Sequence, residues 1–162
     1  MTVTNNITRL LDSRKISYTA YELPAEKLGA LETARLLDAD PATVFKTIVI
    51  NREKPRKPLL VLLPGISVVD LKLLASALGE KKVYLPTEDE AEEITGLQAG
   101  GISPLALLNK GFQVIVDSSA QKFADIHVSG GQRGLNIKLP VIALINLTKA
   151  RIASVCKSEE NK

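Results

Sequence analysis

Val44-Phe45-Lys46-Thr47-Ile48-Val49-Ile50 is the stretch on which the reading of this chain turns. Its β-branched and aromatic residues predict a strand bound for the core. An ammonium in such a strand is costly unless an acceptor or an anion meets it. Lys46 therefore has two readings. Either it lies at the frayed start of the strand with its head in water, or it belongs to a site. Two loops rich in backbone N–H groups favour the site: Gly100-Gly101-Ile102-Ser103-Pro104 and Ser129-Gly130-Gly131-Gln132-Arg133-Gly134. A lysine on a strand beside such loops makes a pocket suited to phosphate or ester oxygen.

Working outward, Asp40-Pro41 opens a helical turn just before this strand, with a cap followed by proline at the first position. Upstream, Ile7, Leu10 and Leu11 at helical spacing predict a helix capped by Asn5 or Asn6 and running to about Lys15. Residues 17–22 alternate as a strand, and Leu31, Ala34, Leu36 and Leu37 mark a second helix. Downstream, residues 51–58 carry two prolines and the basic group Arg52, Lys54, Arg56 and Lys57, which predicts an exposed loop. Residues 59–63 are continuously apolar, as in a strand covered on both faces. A third helix is expected from Ser67 to a stop at Gly79, and the capping-box spacing Thr87-Glu88-Asp89-Glu90 starts a fourth. Strands follow at 82–85, 112–117, 125–129, 135–139 and 151–155, with a helical turn at 119–123 and a helix at 142–147. Strands and helices intersperse without strict alternation, so the sheet is expected to be mixed and not doubly wound.

Composition narrows the function. A chain of 162 residues suits one domain, expected over 1–156 with a disordered charged tail at 157–162. Aromatic residues make up 4% and Trp is absent. The core must therefore be aliphatic, and base-stacking on a sheet surface is unlike this chain. The net charge of +3 permits contact with a polyanion without demanding it. One Cys and one His exclude an internal disulfide and a zinc site built from those residues. No cofactor and no metal are expected. The N-terminus lacks a signal-peptide pattern and no apolar run approaches a membrane span, so the protein is expected to be cytoplasmic. There is no P-loop, dinucleotide fingerprint or nucleophile elbow. His127 reads as a strand residue with a satisfied ring, and Cys156 at the end of the chain is a poor nucleophile.

The motifs in order are Val-Phe-Lys-Thr at 44–47, Asp70-Leu71-Lys72, Leu78-Gly79, Lys81-Lys82-Val83, Thr95-Gly96, and the two Gly-Gly loops. Together they resemble the YbaK family of stand-alone aminoacyl-tRNA deacylases, related to the editing insertion of prolyl-tRNA synthetase. The resemblance covers about residues 7–153 and is closest to the branch acting on Cys-tRNA(Pro). It implies a compact α/β domain whose curved, barrel-like mixed sheet is surrounded by helices. It implies Lys46 as the essential residue. Tyr21, Leu28, Thr47, Gly100, Gly101, Ile102, Ser103, Ser129, Gly130, Gly131 and Asn136 would be the substrate-binding set. That branch has Phe at the place of Leu28 and Asp at the place of Asn136, so cysteine selectivity is the property these two residues bear on. The implied partners are the 3′ end of aminoacyl-tRNA and prolyl-tRNA synthetase, with the protein itself a monomer. Backbone N–H groups of Gly101 and of Ser129-Gly130 would stabilise the oxyanion, and the basic loop would touch nearby phosphates. The alternatives are a non-catalytic module binding a tRNA end or a synthetase, and a water-using deacylase of another small amino acid.

Overall fold

In chain order the computed structural model, which describes residues 4–158, has α1 (Asn6–Ser13), β1 (Thr19–Glu22), α2 (Ala30–Leu37), β2 (Phe45–Arg52), β3 (Leu59–Pro64), β4 (Ser67–Val69) and α3 (Leu71–Leu78). Then come β5 (Val83–Tyr84), α4 (Glu88–Thr95), β6 (Gln113–Asp117), β7 (Asp125–Ser129), β8 (Leu135–Pro140), α5 (Val141–Thr148), β9 (Arg151–Ala153) and β10 (Cys156–Ser158). Short 3₁₀ helices occupy Pro41–Thr43, Pro104–Lys110 and Ser118–Lys122.

The expected caps are present. Asn5 accepts from the Thr8 N–H and Thr8 answers with its hydroxyl, while Thr87 and Glu90 form the same reciprocal pair on α4. Asp40 caps the turn at Pro41. Gly79 ends α3 in the left-handed conformation that glycine adopts at least cost.

The strands form a mixed five-stranded sheet in the order β5-β2-β3-β6-β9, a three-stranded antiparallel sheet β1-β8-β7, and the pair β10-β4. β2 runs antiparallel to β3, whereas β3, β6 and β9 are mutually parallel. Phe45, Val49, Leu60, Leu62, Val114 and Val116 meet Ile126, Val128, Ile137 and Leu139 in one core between the two larger sheets. The other face of the five-stranded sheet packs Ile50, Leu59, Val61, Leu63 and Ile115 against Leu74 and Ala75 of α3. β3 is buried along its whole length, as its unbroken apolar run predicts.

Three expectations change. The pairings leave separate sheets and close no barrel among the described residues, so the fold stands as a mixed α/β domain. The helix expected from Ser67 begins at Leu71, because Asp70 caps it and residues 67–69 pair with the C-terminal strand instead. The tail expected to be disordered from residue 157 contributes Lys157 and Ser158 to that strand, and 159–162 lie outside the described residues.

The basic loop also differs from its expected form. Arg52 is mostly buried and donates through Nε to Glu80 Oε2 at 2.9 Å and through Nη1 to Gln113. Glu80 is itself buried, with Arg56 at 3.9 Å. Lys57 donates to the Lys110 carbonyl and lies 5.0 Å from the Phe112 ring. Glu80→Ala leaves the Arg52 guanidinium buried without its anion, which should cost roughly 3 kcal/mol and lower Tm by about 10 °C in a thermal melt.

Candidate active site

Register builds the site. In the three-stranded sheet Tyr21 pairs with Asn136, and Asn136 pairs with Ser129. Side chains alternate along a strand. Since Val128 and Ile137 point into the core, Tyr21, Asn136 and Ser129 form one row on the outer face. The adjacent row is Thr19, Lys138 and His127. His127 and Asn136 meet diagonally, with Nδ1 and Oδ1 2.8 Å apart. A carboxamide oxygen only accepts, so the ring donates through Nδ1–H. The Tyr21 ring is tilted against the His127 ring, with centroids 5.6 Å apart. Burial pushes the His127 pKa below its ordinary value, with the nearby Lys138 charge acting in the same direction, while the bond to Asn136 and the Asp125 charge oppose it.

β2 adjoins this sheet through one parallel bridge, Val44 to His127. Lys46 and Ser129 each lie two residues beyond that bridge. The outer face of the three-stranded sheet therefore continues onto the Lys46 face of β2. Lys46 is half-buried and donates to the Gly65 carbonyl at 3.2 Å. Gly65 in turn is pressed against Ala30 at the start of α2, where a side chain would collide with the Ala30 Cβ. Gly65 escaped the sequence reading because its contribution is a backbone oxygen. Its place in Pro64-Gly65 after a buried strand was the available signal. Thr47 leaves β2 on the opposite face, alongside Phe45 and Val49, so its side chain is not brought to Lys46.

The two glycine loops touch. A Cβ on Gly101 would lie 2.8 Å from Gln132 Cα, and Arg133 Nε donates to the Ala99 carbonyl at 2.6 Å. Asn5 Nδ2 ties the second loop to the start of α1 through the Gly130 carbonyl at 2.9 Å. The oxyanion role expected of the loops meets a physical obstacle. The Gly101 N–H already donates to Gln98 O at 2.7 Å and the Gly130 N–H to Leu135 O at 2.8 Å. The Gly131 N–H donates to Ser129 Oγ, whose hydroxyl lies 3.4 Å from Gly100 O. Ser103 is fully buried and caps the 3₁₀ helix at Leu105, and Ile102 packs on the core. Gly100 is exposed with φ +88°, beside Arg133 and Lys27, and Leu28 is half-buried.

The face carries no activated nucleophile among the described residues. Ser129 bonds to Gly131 and Gly100, not to His127. Burial, then the Asp117 carboxylate, pushes the Cys156 thiol up to about 11, although the Lys46 charge pulls the other way. A concavity of about 360 Å³ between Leu107, Phe112 and Leu147 contains none of the expected site residues. The basic loop lies six residues along β2 from Lys46, roughly 20 Å at strand spacing, too far to serve the same ester. No described helix is long and apolar enough to cross a membrane, and no described cluster of His, Cys, Asp and Glu could hold a metal ion.

A mixed α/β domain with a lysine and a serine on one face, beside two touching glycine loops, can receive ester or phosphate oxygen. Comparison with known proteins assigns it further. The family model described as aminoacyl-tRNA editing domain matches residues 5–147. EbsC of Enterococcus faecalis, provisionally named a Cys-tRNA(Pro)/Cys-tRNA(Cys) deacylase, is 33% identical over 95% of this chain and 94% of its own. ProX of Acetoanaerobium sticklandii, named a prolyl-tRNA editing protein, is 29% identical over 61% of this chain and 60% of its own. The crystal structure of hypothetical protein APE2540 shares the fold with a TM-score of 0.84 at 21% identity, covering 94% of this chain and all of that one. The chain belongs to the aminoacyl-tRNA editing domain family, and the YbaK resemblance of its motifs is borne out.

Three outcomes follow from this geometry. Gly65→Ala forces apart α2 and the turn that receives Lys46, so it should cost about 1–3 kcal/mol in denaturant unfolding. His127 should titrate below 6.5 in an NMR pH series. Because the unfolded ring protonates first, His127 contributes no penalty above pH 6.5, and stability falls as pH drops below that value. Asn136→Asp should move the titration upward, since a carboxylate favours the imidazolium.

Proposed function

We propose that the protein is a trans-editing deacylase that clears mischarged aminoacyl-tRNA, with Cys-tRNA(Pro) as its principal substrate. The observation that carries this is a lysine-bearing face with no activated nucleophile of its own. The enzyme thiol nearest Lys46 in charge terms is held protonated by burial and Asp117. A cysteinyl ester brings its own thiol, with an ordinary pKa near 8.5. In the proposed step the substrate sulfur bonds to its own carbonyl carbon, the ester C–O bond breaks, and the thiol proton ends on the ribose oxygen. The product is a cyclic thioester that water then opens. The ring formed is small and strained, so the pocket's task is to hold the folded-back conformer.

Lys46 polarises the ester carbonyl or grips the phosphate of the terminal nucleotide, from the position set by Gly65. With the Gly101 and Gly130 N–H groups engaged and the Ser129 hydroxyl donating to Gly100 O, stabilisation of the oxyanion falls to the Lys46 ammonium. Tyr21 and Leu28 form the side-chain wall. The names of EbsC and ProX support the substrate class. With Arg52 and Lys57 already paired, selection among tRNAs is left to a partner that holds the tRNA, in this reading prolyl-tRNA synthetase, with the deacylase acting as a monomer.

Lys46→Ala should lower kcat/KM on cysteinyl-tRNA by roughly 100-fold or more while the melting temperature stays within a few degrees of wild type. Full activity, or an unfolded variant, would contradict the assignment. On one tRNA, seryl ester should be cleaved far more slowly than cysteinyl ester, because a neutral hydroxyl is a poor nucleophile near pH 7. Equal rates would point to attack by water.

A further inference from the structure

His127 and Asn136 are 5% and 6% exposed, and their mutual bond occupies Nδ1–H and Oδ1. That leaves Nε2 of the neutral ring with a lone pair and Asn136 Nδ2 with its N–H donors. Neither atom has a protein partner, yet no fully buried side-chain nitrogen or oxygen among the described residues is unsatisfied. Both atoms therefore reach the surface of the site. They belong to the two ends of one bonded pair, with Asn136 in the Ser129 row, His127 one row away and the Tyr21 ring 5.6 Å from the His127 ring. The pair offers one uncharged acceptor and one uncharged donor.

An aminoacyl ester presents two kinds of polar group. Its carbonyl and ribose oxygens accept, and Lys46 and Asn136 Nδ2 can donate to them. Its α-amino group is chiefly a donor and needs an acceptor. No carboxylate stands in the Tyr21–Asn136–Ser129 row, and Asn136 Oδ1 is committed to His127. The Tyr21 and Thr19 hydroxyls in these two rows both donate and accept, and His127 Nε2 is the side-chain acceptor there that carries no proton of its own. Given the deacylase reading, on which this rests, we infer that His127 Nε2 receives the α-amino group of the substrate, with Asn136 as the positioning residue that holds the ring as its Nδ1–H tautomer. Specificity for aminoacyl over deaminated esters then resides in His127.

The test compares cysteinyl-tRNA with 3-mercaptopropionyl-tRNA, which keeps the thiol and the ester and lacks the amino group. Wild type should prefer cysteinyl-tRNA by roughly tenfold or more in kcat/KM, the discrimination expected when a built hydrogen bond goes unmade. In His127→Leu the preference should collapse toward unity with the mercaptopropionyl rate retained, and His127→Gln, which restores an acceptor, should recover part of it. An unchanged preference in a folded His127→Leu protein overturns the inference. A second readout needs no variant. In ¹⁵N-histidine-labelled wild type, Nε2 should shift on adding the 3′-amide analogue of cysteinyl-adenosine and not on adding its mercaptopropionyl counterpart. The same response to both analogues, or none to either, also overturns it. Failure of wild type to deacylate any aminoacyl-tRNA would sink the deacylase reading instead, while the NMR arm still reports whether Nε2 meets an amino group.

Discussion

Everything on the functional face depends on where the aliphatic core sits. Val and Ile residues of β7 and β8 must point inward to meet Phe45, Val49 and Leu62, and burial of each is worth on the order of 2 kcal/mol. The pleat then leaves the alternate positions no choice. Tyr21, His127, Ser129 and Asn136 are driven outward, and the Val44 bridge carries that face across to Lys46. A one-residue slip in β8 would bury Asn136 and expose Ile137, so the core that stabilises the fold also holds the site in register.

The site's chemistry follows from what those outward groups are doing. A lysine near acceptors, a serine bonded to its own loop and a histidine bonded to Asn136 and not to that serine do not make a nucleophile–base pair. In the proposed reading such a face holds and polarises an already activated ester. The requirement for a nucleophile then passes to the substrate or to water. Where the substrate supplies it, as proposed, selectivity follows, since an ester lacking the right side chain binds without reacting.

Much of this was legible in the sequence. Strands with strong patterns, the Asn5 and Thr87 caps and the Gly79 stop are local signals, and they appear within a residue or two of where they were expected. Lys46 announced itself as a charge in an apolar strand. What stayed hidden was non-local. β4 pairs with a strand at the far end of the chain, which no pattern in Ser67–Val69 reports. Gly65 acts through a carbonyl. The N–H groups of Gly101 and Gly130 look available in a sequence, and their partners Gln98 and Leu135 are known only from the fold. Arg52 counted as surface charge until Glu80 was found buried against it. The direction of the Thr47 side chain, opposite Lys46, was legible from strand alternation alone.

The central claim is that the substrate supplies the attacking group. It is tested most directly by blocking that group and nothing else. The measurement is single-turnover deacylation of S-methyl-cysteinyl-tRNA beside cysteinyl-tRNA on the same tRNA. The thioether retains the size and apolar character of the side chain and cannot attack as a thiolate. The account predicts that the methylated substrate binds with similar affinity and is not turned over above the spontaneous rate. Turnover of the methylated ester at the cysteinyl rate would contradict it.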